Sequence, residues 1–172
     1  METIVKKIIL LIVLVMLSGC ASVKNIRDTA RLEPKSGIML VNFESNHYGY
    51  KATIINKKNI TWASAVFDIK RDDNLRVITL PAGDYTWRGI YVGTGASEFR
   101  DDYDFTIQEG YVNYVGDVLI IIDGRSNRYK ISFSDNEKTI SRFKEEYPKL
   151  AENNKIIKNI TNRPNKKDIN TK

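Results

Sequence analysis

Between residues 37 and 134 the chain reads as a succession of short strands. Apolar runs or alternations of six to thirteen residues are separated by turn-forming clusters, with no apolar recurrence at helical spacing among them. The runs are 37–43 (GIMLVNF), 50–55 (YKATII), 62–70 (WASAVFDIK), 75–80 (LRVITL), 85–92 (YTWRGIYV), 103–108 (YDFTIQ), 111–123 (YVNYVGDVLIIID) and 128–134 (RYKISFS). Period two assigns faces within them. Phe67 and Ile69 share one side, as do Tyr103, Phe105 and Ile107, and Tyr129, Ile131 and Phe133. In 85–92, Tyr85, Trp87, Gly89 and Tyr91 stand opposite Thr86, Arg88, Ile90 and Val92. The expected fold is mainly β: an antiparallel β-sandwich of about seven or eight strands over residues 37–134.

After Ser134 the period changes. Ser134 and Glu137 have the spacing of a capping box, and Ile140, Phe143 and Tyr147 recur at helical spacing until Pro148 interrupts. A C-terminal helix over about 136–147, with a short piece beyond it, is expected to pack on the sandwich or close an open edge. This helical segment is bounded at 135–160. Residues 161–172 have little apolar content and read as a disordered basic tail.

The chain begins with Lys6 and Lys7, then ten apolar residues, Ile8 to Leu17, then Ser18-Gly19-Cys20. A basic stretch, a short apolar core and small residues at a cut site describe a secretory signal. Ten helical residues span about 15 Å, half of a bilayer core of about 30 Å, so the run does not read as a transmembrane span. Leu17-Ser18-Gly19-Cys20 resembles the bacterial lipobox, Leu-[Ala/Ser]-[Gly/Ala]-Cys, at all four positions. The resemblance implies cleavage between Gly19 and Cys20, and conversion of Cys20 into an N-palmitoyl, S-diacylglycerol cysteine. The chemistry needs a thiol, because the thiolate is the nucleophile that takes the lipid. One acyl chain binds a membrane only marginally, whereas two or three hold a protein there for long times. Cys20 is the only cysteine. Its lipidation would leave neither a free thiol nor a disulfide, and stability would come from the core. Residues 1–19 then read as signal peptide and residues 20–36, polar and without a sustained period, as a lipidated tether. The mature chain of 172 − 19 = 153 residues suffices for one well-cored domain.

The net charge of +6 is unevenly placed. Residues 20–154 hold 19 basic and 19 acidic side chains, whereas residues 155–172 hold six basic ones against Asp168. A basic tail suits phosphate head groups or anionic glycans, and nucleic acid is not an expected partner of an exported chain.

Two further segments, LPAGDYTWRGI (80–90) and FTIQEGYVNYVGDVLI (105–120), carry another resemblance. Together they are similar to a class of small bacterial lipoproteins of unknown function, which bear a Leu-Pro-x-Gly-x-Tyr turn and a later Gly-containing strand. The similarity covers roughly residues 75–150, with Tyr147-Pro148 matching a Tyr-Pro pair in that class's C-terminal helix. It implies a prealbumin-like or immunoglobulin-like β-sandwich and transfers no catalytic residue. The motifs also have physical reasons of their own. Pro81 lacks an N–H and suits a strand end. Gly83 tolerates positive φ in a turn. Tyr85 enters the next strand with its hydroxyl in reach of nearby backbone. Gly116, inside a long strand, suggests a bulge.

Candidate chemistry is sparse. Asp101, Asp102 and Asp104 form an acidic cluster, without the Asp-x-Asp-x-Asp-Gly pattern and distal glutamate of an EF-hand, and they are expected to pair with Arg88 and Arg100. The RDDN turn (71–74) is a weaker cluster of the same kind. His47, the only histidine, lies in a loop without a nucleophile motif, and one histidine cannot furnish a zinc site. Asp117 and Asp123 flank VLIII and read as strand-end residues. Trp87 and Tyr91 are the candidate ligand-binding pair, beside the 93–104 loop, because aromatic faces bind sugar rings and partner proteins. No metal site, cofactor or catalytic residue is assigned.

These readings describe a lipid-anchored cell-envelope protein, a non-catalytic structural or protein-interaction module. The alternatives are a module binding a small ligand or glycan through an aromatic face and, less favoured, a hydrolase. The membrane would be met through covalent lipid, with another envelope protein or a glycan as partner. In lipoproteins of enteric-like bacteria, Asp after the lipidated cysteine favours inner-membrane retention. Ala21 therefore points to the outer membrane, facing the periplasm, in a Gram-negative source.

Overall fold

The computed structural model describes residues 22–58, 63–71, 74–92, 95–123 and 128–162, with the backbone alone for residues 92, 95–97, 100–102, 123, 128 and 129. Residues 1–18, read as part of a signal peptide, Gly19, Cys20, Ala21, Trp62, Asp72, Asp73 and the residues beyond Asn162 lie outside the described residues, as do the side chains of Asp101, Asp102 and Asp123. The elements are β1 (Ser36–Ser45), β2 (Tyr50–Asn56), β3 (Ala65–Ile69), β4 (Leu75–Pro81), β5 (Gly83–Val92), β6 (Gly95–Ile107), β7 (Val112–Asp123), β8 (Arg128–Ser134), α1 (Glu137–Glu146), α2 (Pro148–Asn153) and β9 (Ile156–Lys158).

The chain is mainly β, and its strands form two sheets. One has the order β4-β1-β7-β8, with β9 on β7; the other has the order β3-β2-β5-β6. The sheets are not wholly antiparallel: β1 runs parallel to β7, and so does β9. Strand β6 begins at Gly95, where a loop was expected, and β9 follows the helices where no strand was expected.

Three layers result. Between the sheets lie Met39, Val41, Phe43, Phe67, Trp87 and Ile120 among others. On the outer face of the first sheet, Ile38, Leu40, Val77, Val112 and Tyr114 are covered by Ile140, Phe143 and Leu150 of the helices. Strand β1 therefore buries both faces, which explains its unbroken apolar run. The helix covers a sheet face rather than a sheet edge. Its N-cap is Asn136, whose side chain accepts from the Lys138 N–H, and not the expected Ser134, which still belongs to β8 opposite Asp117. Pro148 takes the first position of α2, where its missing N–H costs nothing.

Gly116 forms the expected bulge. Leu40 pairs with Tyr114 but Asn42 with Asp117, so β7 holds one extra residue there, with φ of +101° at Gly116. Before the bulge β7 pairs with β9, and after it with β8. One long strand thus serves two partners along the same edge.

Candidate functional site

The N-terminal segment that leads from Cys20 is bonded into the fold from its third residue. Val23 N–H donates to the Val66 carbonyl on β3 (2.9 Å), and Ile26 N–H to the Val77 carbonyl on β4 (2.8 Å). Between them the Asn25 amide acts as a peptide unit. Its Oδ1 accepts from Val77 N–H at 3.1 Å, and its Nδ2 donates to the Leu75 carbonyl at 3.0 Å and the Tyr147 hydroxyl at 3.1 Å. Asp28 Oδ1 accepts from Leu150 N–H in the first turn of α2 (3.0 Å). Ile26, Ala30 and Leu32 pack on the outer core. Residues 22–32, read from the sequence as part of a tether, close the side of the sandwich where edge strands β3 and β4 meet and satisfy backbone groups there. Beside Val23 a cavity of about 300 Å³ is lined by Ser22, Lys24, Asn25, Asp68, Lys70 and Arg76.

The opposite side is closed by the C-terminal segment. Thr161 N–H donates to the Val115 carbonyl and Asn162 N–H to that of Asp104, so the chain crosses from β7 to β6. Trp87 Nε1–H donates to Thr161 Oγ1 at 3.2 Å, and that hydroxyl donates to the Val115 carbonyl at 2.9 Å. The indole is 1 % exposed and packs against Phe43, Phe67, Phe105 and Phe133, with centroids 5.6–6.0 Å apart. Tyr91 is not beside it. Trp87 pairs with Ile54 and Tyr91 with Lys51; positions 51 and 54 of β2 face opposite ways, so the two rings lie on opposite faces of the sheet. Arg88 is the extra residue of β5 that breaks the alternation, and it turns Ile90 inward to 1 % exposure. Its guanidinium pairs with Glu98 (2.9 Å); the side chains of Asp101 and Asp102 in the acidic cluster lie outside the described residues.

Of that cluster, Asp104 pairs with Lys57 Nζ through Oδ2 at 2.6 Å, while its Oδ1 is buried without a hydrogen-bond partner among the described residues. With Asp84, Thr106 and Asn159 it lines a cleft of about 400 Å³. Thr106 Oγ1 donates to Asp84 Oδ1 at 2.8 Å, which engages the cleft's hydroxyl. His47 is exposed in the β1–β2 turn, edge-on to Tyr50. Among the described residues no three His, Cys, Asp or Glu side chains are grouped to hold a metal ion, and no helix is long and apolar enough to cross a membrane.

Asp117, read from the sequence as a strand-end acid, is 2 % exposed and accepts from Tyr114, Asn136 and Thr139. It tethers α1 to β7. Burial first, then the hydrogen bond to Asp117, pushes the Tyr114 phenol far above its ordinary value. Tyr85 is also raised by burial, and its hydroxyl donates to the Pro81 carbonyl at 2.8 Å, the backbone bond expected of the Leu-Pro-x-Gly-x-Tyr turn. Comparisons of the chain with protein-family models, curated proteins and solved structures return no match.

Proposed function

We propose that the chain is a lipid-anchored protein of the bacterial cell envelope, a non-catalytic structural or protein-interaction module held to the membrane through Cys20. The outer membrane, facing the periplasm, is the assigned location, on the strength of Ala21. The observation that carries the reading is the placement of the lipobox against the fold. Val23 N–H is bonded to β3 three residues after Cys20, so a lipid on Cys20 would sit next to the folded domain.

The strand order supports the prealbumin-like form of the sandwich over the immunoglobulin-like one. In immunoglobulin domains the first strand shares a sheet with the second and not with the seventh. Here β1 pairs with β4 and β7, and β2 lies in the other sheet. The interaction reading is favoured over ligand capture because Phe43, Phe67, Tyr85, Trp87 and Phe105 are consumed in the core. The glycan-binding alternative keeps Tyr91 on the outer face and Tyr48, which is 63 % exposed, and loses Trp87.

Metabolic labelling with a fatty-acid probe and intact-mass measurement test the anchor. The native protein is expected to start at Cys20 and carry label, and Cys20→Ala to carry none. A labelled alanine variant, or a native chain with its leader attached and thiol free, refutes the reading. Crosslinking in intact cells then distinguishes a protein partner from a glycan.

A further inference from the structure

We infer that the β3–β4 side of the sandwich lies flat on the phosphate head-group layer of the bilayer, with Lys24 and Lys70 facing lipid phosphates and the β6–β8 side turned away. The inference rests on lipidation of Cys20 and adds the orientation in which the anchor holds the domain.

The argument begins with reach. Val23 is three steps along the chain from Cys20, and a fully extended chain advances at most about 3.6 Å per residue, so the anchored Cα stands within about 11 Å of a residue fixed to β3. The head-group region on each side of a bilayer is about 5–8 Å thick. A lipid glycerol on Cys20 therefore leaves the domain little slack beyond the head groups. Had residues 20–36 been a free tether, the domain would range far from the surface. Instead Val23, Asn25 and Ile26 are each bonded to the edge strands.

Charge agrees with that placement. The cavity beside Val23 gathers Lys24, Lys70 and Arg76 beside Asp68. Lys24 and Lys70 are exposed. The Arg76 guanidinium is buried and donates to the carbonyls of Leu75 (3.0 Å) and Asp68 (2.8 Å), so the two exposed lysines supply the contact. Asp72 and Asp73 of the adjacent turn lie outside the described residues, and the anionic-lipid arm below reads their effect. On the far side, Lys130 sits exposed on β8, three strand spacings of about 4.8 Å from β4.

Because the only native thiol would be lipidated, an introduced cysteine can carry a single fluorophore. Full-length Lys70→Cys and Lys130→Cys proteins, processed in cells, are labelled and reconstituted in vesicles doped with lipids bearing a nitroxide on the head group. Phosphatidylcholine vesicles are compared with vesicles containing phosphatidylglycerol. Quenching at position 70 is expected to exceed that at 130 several-fold, and to rise with the anionic lipid. Equal quenching at the two positions, on protein shown by mass to be lipidated, overturns the orientation and leaves the anchor standing. Protein that bears no lipid and stays out of the vesicles overturns both. Lys24 is the lysine that remains in the Lys70→Cys protein, so a position-70 signal indifferent to phosphatidylglycerol overturns the role given to it.

Discussion

The Tyr114 hydroxyl donates to Asp117 Oδ1 at 2.7 Å across the bulge at Gly116. The other carboxylate oxygen, Oδ2, accepts from Asn136 Nδ2 and Thr139 Oγ1, both at 2.9 Å, at the start of α1. One carboxylate thus joins the turning point of the central strand to the layer that covers the sheet. A helix N-terminus also favours the negative charge placed there.

Asp117→Ala would take the acceptor from the buried Thr139 hydroxyl and the half-buried Asn136 amide, and leave the Tyr114 hydroxyl only the longer bond to the Ser134 carbonyl (3.4 Å). It is expected to destabilise the fold by about 3 kcal/mol or more. Asp117→Asn keeps the shape, and its remaining carbonyl oxygen can satisfy some donors, so about half that loss is expected. Urea unfolding of the two variants beside the native protein checks the ranking. Native-like midpoints for both would show that the helical layer is held by its apolar contacts alone.

Stability should fall in alkali, with a sign set by burial. Tyr114, Tyr85 and Tyr50 are each raised above the ordinary 10.0, chiefly by burial. A raised phenol binds its proton more tightly folded than unfolded. Its contribution is therefore complete below about pH 10 and is lost as pH climbs from there toward the folded values. Lys158, raised by Glu137 and then Asp135, acts in the same direction but is exposed, so solvent screens it. Unfolding free energy is expected to be flat between about pH 7 and 9 and to decline beyond pH 10. Tyr114→Phe should be less stable at neutral pH and decline less steeply, as measured by urea titrations at each pH.

Gly116→Ala combines two penalties. The backbone φ is +101°, and an added Cβ would stand 3.2 Å from the Ser134 carbonyl oxygen and 3.4 Å from Ile160 Cγ2. The expected cost is about 2 kcal/mol. Because the bulge is where β7 changes partner from β9 to β8, amide exchange of Asn159 and Thr161 should quicken with it. Unchanged exchange there would separate the bulge from the docking of the C-terminal segment.

What the sequence disclosed follows from which signals repeat. Tyr103, Phe105 and Ile107, and likewise Phe67 and Ile69, alternate without interruption, and all turn inward as their period demands. The same rule failed for Trp87 and Tyr91, because an extra residue at Arg88 inverts the pattern and a bulge leaves no mark on side-chain type. Residues 22–32 looked like a tether because their attachment rests on two backbone bonds, those of Val23 and Ile26, on single side chains, Asn25 and Asp28, and on three well-separated apolar ones, Ile26, Ala30 and Leu32. Strand β9 is three residues long, too short for alternation to register. Asp117 resembled a strand-end acid because its donors, Asn136 and Thr139, come from a helix 19 and 22 residues away in sequence.

Asn25 offers the most direct test of whether the N-terminal segment belongs to the fold. Its amide caps the Leu75 carbonyl and the Val77 N–H on the outer edge of β4. Asn25→Ala removes both bonds, together with the one to Tyr147, and is expected to cost about 1–3 kcal/mol. Asn25→Asp keeps the acceptor for Val77 but loses the donor to Leu75 and sets a carboxylate against that carbonyl, so it should not rescue. The loss should appear in urea midpoints and as faster amide exchange at Val77. The freed edge would also present unpaired backbone to other chains, so the alanine variant is expected to self-associate at concentrations where the native protein does not, as read by sedimentation. If Asn25→Ala unfolds at the native midpoint with Val77 still protected, residues 22–32 are a leash after all and no part of the fold.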